Sequence, residues 1–352
     1  MVDDKKSAKG TTPLRARPTV FDLARHAGVS TATVSRALNK PDTVRESLRL
    51  RVENSVAELG YVTSSVGKAL RKQRTRIIGT LLPKLDDPLF SIFASGVQSA
   101  LVEAGYVGFI QPVGFDNRKL TAHARTMIEN GAEGIIVFGR IDDPELFHLQ
   151  QAQHFPLVSA YSYTEDSRVP CIGIDNYRAT RQLIDLLLQL GHRRIAMLAG
   201  PTDGNDRQQT RIAALTDAMR EHDLPLIIEN VDLSSQMADA AASLRRLLGG
   251  ENKVSAILCS RDVLAFRAMA ECNRMGIRVP EDLSLTGFDD LDYAELLFPP
   301  LTTLAVPAVE IGRHAARQVI AHLDENRPIS SYRFDTAVML RQSVGRPGGN
   351  IS

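Results

Sequence analysis

The chain has 352 residues, 43% hydrophobic and 24% charged, with a formal net charge of +1, an ordinary globular composition with room for a small module and a core of two subdomains. The near-neutral sum hides an asymmetry, because residues 1–76 carry 16 Lys/Arg against 7 Asp/Glu while the remainder carries 26 against 34, so one end seeks polyanions and the other does not. No apolar run approaches the roughly 18 residues of a membrane span, and Cys171, Cys259 and Cys272 form no CxxC pair, which argues against membrane and disulfide-scaffold classes.

The opening MVDDKKSAKGTTPLRARP is polar and aperiodic, so residues 1–17 read as a disordered basic leader without signal-peptide character, and the expected compartment is the cytoplasm. From Thr19 to Ala57 the apolar residues fall at helical spacing (Val20, Leu23, Ala24, Ala27; Val34, Leu38; Leu48, Val52, Val56), predicting three short packed helices over 18–63. A Gly/Ser/Thr stretch and the basic segment SSVGKALRKQRTR follow, placing a linker at 64–76. From Ile77 the runs IIGTLLP, GIIVFG, LVSAYS, RIAMLAG, VSAILCS and LSLTGF alternate with amphipathic or loop-like segments. Such alternation predicts parallel sheets covered on both faces. A span of this size exceeds one hydrophobic core, so two doubly wound α/β subdomains with a cleft between them are expected, the ligand lying beyond the carboxyl ends of the strands.

In VFDLARHAGVSTATVSRALNK, Thr19 can cap a first helix, Gly28 supplies a tight turn and Ser30 can cap a second helix, which together spell a helix-turn-helix. The second helix would expose Thr31, Ala32, Ser35 and Arg36 while Val34, Ala37 and Leu38 face the core. Arg36 can pair bidentately with a guanine edge, and Thr31, Ser35 and Asn39 can reach phosphates or nearby bases.

With these residues the segment resembles the headpiece of the LacI/GalR (lactose-repressor) family of transcription regulators. The resemblance implies Thr31, Ala32 and Arg36 as base readers, Thr33 on the same DNA-binding segment, and Ser35, Asn39 and Tyr61 near the backbone. It also implies a hinge helix in VGKALRKQ whose Leu70 wedges into the minor groove. Ala32 departs toward smallness and offers only apolar contact to a thymine methyl. Gly67 stands where alanine is more frequent, and glycine in a helix interior costs about 1 kcal/mol, so the hinge should order on DNA.

The loops PKLDDPLFSIFASG, LGHRRIAMLAGP, SRDVLAF, RVPEDLSLTGFDD and PPLTTLAVP extend the resemblance over roughly 76–340. Read alone, Asp86, Asp87, Phe90, Asp289, Asp290, Arg207 and Arg261 at strand ends suit a hydroxyl-rich ligand, which needs fixed donors and acceptors beside an apolar ring. The resemblance implies a periplasmic-binding-protein-like core at 77–345 and a tail at 346–352. The N-subdomain would take about 77–174 and 304–334, the C-subdomain about 175–303 and 335–345. By the same resemblance Phe90 stacks on the ligand ring, Arg207 and Asp289 hold its hydroxyls, and Asp87, Tyr161 and Arg261 line the cleft. The loop GPTDGNDRQQTR is a residue longer than in common relatives, so either Arg207 or Gln209 fills that place. Tyr161 and Arg261 stand where an acid and an amide are usual, which moves the pocket toward anions: a sugar, sugar acid or phosphorylated sugar is the expected effector.

No metal-ligand spacing, GxxxxGKS, GxGxxG or GxSxG motif is present, so neither catalysis nor a cofactor is expected. The expected function is sequence-specific DNA binding on a palindromic operator as a homodimer, repressing carbohydrate-catabolism genes, with the effector releasing or retaining the protein. The C-terminal RQSVGRPGGNIS lacks the heptads of tetrameric relatives. The alternative is a sugar-binding protein without a DNA role.

Overall fold

The structure, a computed structural model, describes residues 18–62, 74–231, 238–249 and 253–348. Its contacts divide the chain between residues 75 and 76 into two units. The predicted leader, most of the linker with Leu70, and the last four tail residues lie outside the described residues.

The first unit holds α1 (Val20–Ala27), α2 (Thr31–Asn39) and α3 (Glu46–Leu59). The ends that flank the turn between α1 and α2, and the start of α1, have local chemical causes. Thr19 and Asp22 form a reciprocal capping box, satisfying amides that have no partner within the helix. Gly28 ends α1 at φ 62°, a left-handed conformation that favours glycine, and two residues later the Ser30 hydroxyl accepts from the Thr33 amide at 3.1 Å. The helices share a core of Leu23, Ala24, Ala27, Val34, Ala37 and Val52. Arg51 of α3 donates to the Ala27 carbonyl at 2.6 Å, a second tie on the turn.

The second unit contains two parallel sheets. One runs in the order β2 (Val107–Pro112), β1 (Ile77–Leu82), β3 (Ala132–Phe138), β4 (Leu157–Ser162), β5 (Cys171–Ile174) and β11 (Tyr332–Phe334). The other runs β7 (Ile227–Asn230), β6 (Ile195–Ala199), β8 (Ala256–Cys259), β9 (Ser284–Thr286). The six apolar runs of the sequence coincide with β1, β3, β4, β6, β8 and β9. The strands they omit are half-exposed (β2 and β7), short (β5), or built into late crossings. A two-stranded ribbon of β10 (Thr303–Ala305) and β12 (Ala337–Met339) is antiparallel.

The covering helices are α4 (Pro88–Glu103), α5 (Thr121–Glu129), α6 (Pro144–Gln153), α7 (Asn176–Gln189), α8 (Asp206–Glu221), α9 (Ala238–Leu248), α10 (Asp262–Met275) and α11 (Ala308–Glu325). The backbone passes between subdomains three times: from β5 to α7, from β10 to α11, and from β11 to β12. In both sheets strand order reverses beside the first strand, between β1 and β3 and between β6 and β8. At such a switch the loops part and leave a crevice at the carboxyl ends.

Candidate functional site

On the headpiece, α2 buries Val34 and Ala37 and exposes Thr31, Ala32, Arg36 and Asn39, with Thr33 and Ser35 partly covered. The 3.6-residue period thus leaves one face of small polar groups with a single guanidinium. Arg36 donates to the Ala32 carbonyl at 3.4 Å, whereas Asn39 donates to the Ser35 carbonyl at 2.7 Å. Tyr61 is half-buried and packs against the helical core. Residues 18–62 contain six Lys/Arg against five Asp/Glu. The basic surplus of this end therefore lies in its flanks.

In the second unit both switch points feed one cleft. Its lining includes Phe90, Phe115, Tyr161, Asn205, Arg207, Arg211 and Arg261. Asp87 caps α4 after β1, Tyr161 sits near the end of β4, Arg207 opens α8 after β6, Arg261 precedes α10 after β8, and Asp289 follows β9. The aromatic wall is continuous: Phe90 meets Phe138 edge-on at 4.9 Å, and Tyr161 stacks on Phe138 at 4.5 Å.

Polar ties cross the cleft. Arg261 binds Asp87 bidentately at 2.6 and 2.7 Å, and the Tyr161 hydroxyl donates to Asp289 Oδ1 at 2.7 Å. Arg261 also lies 5.2 Å over the Phe90 ring and 3.7 Å from Asp289 Oδ2. Burial opposes its charge, but the Asp87 hydrogen bonds and the nearby Asp289 outweigh burial and hold the guanidinium firmly protonated. Burial pushes the Tyr161 hydroxyl well above its ordinary range, and Asp289 adds to this. Burial also raises Asp289, against the pull of Arg261 and Arg211. Behind it Asp262 is pushed up to about 7 by burial and by Asp289, although its oxygens accept from Thr303 and Leu291. Tyr161, Asp289 and Asp290 all have positive φ, a conformation that costs non-glycine residues on the order of 1–3 kcal/mol and concentrates at functional sites.

Several buried polar atoms here have no hydrogen-bond partner: Asn205 Oδ1, Arg207 Nη2, Ser260 Oγ and Asp289 Oδ2. The large majority of buried polar groups in folded proteins are paired. An acceptor-rich set with one cationic donor beside an aromatic wall is the chemistry that receives ring hydroxyls.

Of the residues expected from sequence, the structure brings Asp87, Phe90, Tyr161, Arg207, Arg261 and Asp289 together. It separates Arg207 from Gln209: Arg207 is buried in the cleft, bonded to Asp206 at 2.8 Å, whereas Gln209 is exposed and binds the Thr202 carbonyl. The Phe90 ring is already covered by aromatic edges and by Arg261, which differs from an open stacking platform. Sequence reasoning missed Arg211. Its guanidinium lies 3.5 Å over the Phe288 ring, binds Asn176 Oδ1 at 2.9 and 3.1 Å and donates to the Ser260 carbonyl. Its position four residues after Arg207, on the same helix face, was the available signal.

Residues 19–64 match the family described as bacterial regulatory proteins, lacI family, and residues 184–344 match the periplasmic binding protein-like domain. The chain is 32% identical over 330 residues to the HTH-type transcriptional repressor CytR of Escherichia coli (strain K12), covering 93% of this chain and 96% of that protein. It is 30% identical over 303 residues to the ribose operon repressor of Bacillus subtilis (strain 168), covering 86% and 90%. Among solved structures, a lac repressor dimer bound to operator and the anti-inducer ONPF aligns with a TM-score of 0.82 at 22% identity, covering 94% of this chain and 100% of that one.

Proposed function

The chain belongs to the lacI family of bacterial regulatory proteins, whose members are DNA-binding transcription regulators rather than enzymes, and from that premise we propose that it represses carbohydrate-catabolism genes as an effector-responsive homodimer. The observation that carries the DNA reading is the exposed face of α2, where capped ends hold Thr31, Ala32, Arg36 and Asn39 clear of the helical core. One such face spans too few base pairs for specificity, so a palindrome read by two copies is the matching operator. An exposed apolar group on the second unit, Tyr293, Leu296 and Phe298, supplies surface of the kind that pairs copies. Among the described residues no helix is long and apolar enough to cross a membrane, in keeping with work on cytoplasmic DNA.

The effector is a neutral, hydroxyl-rich ring. Three cations, Arg207, Arg211 and Arg261, meet three carboxylates, Asp87, Asp206 and Asp289, so the cleft carries no surplus positive charge. The charge that Arg261 adds is taken up by Asp87, and among the sugar, sugar acid or phosphorylated sugar expected from sequence this favours the neutral sugar. A transcriptional regulator CelR–cellobiose complex and a LacI family regulator from Enterococcus faecium with bound ribose are similar to this chain in fold, and both sugars are suitable first ligands.

Selection of duplexes from a random pool by the full chain, beside a fragment beginning at Arg76, tests the first half. Enrichment of a palindrome by the full chain alone is expected, and enrichment by the fragment would overturn the headpiece assignment. Repeating the selection with metabolite pools separates release from retention. Calorimetry tests the second half: binding of neutral sugars is expected, and binding of sugar acids only, abolished by Arg261→Ala, would overturn it.

A further inference from the structure

Two loops meet over the cleft mouth, one from each subdomain. Residues 113–118 follow β2, and residues 200–205 follow β6. The Asn117 amide donates to the Gly204 carbonyl at 3.2 Å. Arg118 binds Asp116 through Nε at 2.7 Å and Nη2 at 2.9 Å, and its Nη2 also reaches Asp203 Oδ2 at 2.8 Å. Each loop also carries a cleft-lining residue, Phe115 on one and Asn205 on the other. Asn117 is tied inward as well, its side chain donating to the Phe138 and Arg140 carbonyls and its own carbonyl accepting from Asp142.

We propose that these loops are a clasp that closes the cleft, and that Gly204 is the residue that lets it shut. Gly204 has φ 63°, and a Cβ there would stand 2.7 Å from Asp116 Cα and closer still to the Asp116 carboxylate. Side chains do not tolerate such contact with backbone, so the loops seat against each other only while position 204 is glycine. Shutting the clasp brings Phe115 and Asn205 to the cleft, so closure and ligand contact are one event. The guanidinium bridge from Arg118 to Asp203 is the polar half of the same clasp, its Asp203 end 85% exposed, and salt weakens ion pairs so exposed. Opening the clasp moves the loop that leads directly into Asp206 and Arg207, whose carboxylate also accepts from Ser162 of the other subdomain at 2.6 Å. The relation between clasp and effector rests on the cleft reading above; the existence of the clasp does not.

Hydrogen exchange followed by mass spectrometry on the full chain tests it without any ligand. In Gly204→Ala, exchange in peptides covering 113–118 and 200–206 is expected to rise about tenfold, with peptides over β1 and β6 unchanged. Gly114→Ala is the control, because Gly114 has φ 79° but open space around it; it imposes the same backbone strain without the clash and is expected to leave the 200–206 peptide as in the parent. Arg118→Ala, which leaves glycine in place, is expected to give a smaller rise of about threefold. Unchanged exchange in Gly204→Ala, or an equal rise in the 200–206 peptide of Gly114→Ala, overturns the proposal. A failure of sugar binding with the clasp intact would count against the effector reading alone.

Discussion

Arg36 and His192 show how differently single side chains act here. Arg36 projects from α2 with little to hold it, which suits a side chain that must rotate onto a base edge. Arg36→Ala is expected to cost about 1–3 kcal/mol of operator affinity and to relax preference at one base step in each half-site, read by fluorescence anisotropy on selected and singly mutated duplexes. Equal losses on all duplexes would make Arg36 a phosphate contact. His192 is buried, with Nδ1 2.8 Å from Ser255 Oγ and Nε2 2.9 Å from the Gly345 carbonyl. Burial lowers its pKa, only partly opposed by the Gly345 bond. As pH falls through the unfolded-chain value near 6.5, the unfolded chain takes up a proton that the buried ring resists, so the folded state loses stability. Urea midpoints measured from pH 8 to 5.5 are expected to decline more steeply for the parent than for His192→Gln. Parallel declines would mean the ring takes up its proton equally in the folded and unfolded states.

At the scale of elements, the most demanding contact is between α4 and α11. A Cβ at Gly96 would lie 2.8 Å from the Val309 carbonyl carbon, and one at Gly312 would lie 3.1 Å from the Val97 amide nitrogen. The backbones therefore touch where these glycines fall, and Phe93, Val97, Ile311 and Ala315 pack around the contact. Alanine usually stabilises a helix relative to glycine by up to about 1 kcal/mol. Here steric overlap dominates, and Gly312→Ala is expected to lower the melting temperature by several degrees, since overpacking costs about 1–3 kcal/mol. A rise in melting temperature would mean the helices can separate without loss.

For the whole molecule, the division of charge is the organising feature. The helical part of the headpiece is nearly neutral, so the polyanion-seeking charge resides in 1–17 and 63–76, with five Lys/Arg in each. Phosphate contacts contribute affinity without sequence preference and impose a salt slope of about 0.9 per contact. Deleting residues 2–17 is expected to weaken binding to all duplexes alike and to shallow the salt slope by at least one unit, with the selected sequence unchanged. An altered sequence preference would assign base reading to the leader. Light scattering at micromolar concentration is expected to give twice the chain mass, and a fourfold mass would reveal a tetramer interface elsewhere.

The headpiece and the main strands were legible in the sequence because their causes are local. Thr19, Gly28 and Ser30 act on amides and carbonyls within a few residues, and the runs that became β1, β3 and β6 are continuous because both faces of a parallel strand are buried. Asp87, Phe90, Arg207 and Asp289 could be named because strand ends converge at a switch point whatever the details. Only the tertiary structure decided what these groups do to one another. Arg261 finds Asp87 across 174 residues, and Tyr161 finds Asp289 across 128, pairings that no periodicity encodes. The first pairing neutralises the cation that had pointed to an anionic ligand, and the same tertiary folding places Arg211 in the cleft and Gly204 against Asp116. Short-range hydrogen bonding and burial act along the chain and can be read from it, whereas the charge balance of the cleft depends on which side chains two separately folded sheets bring face to face.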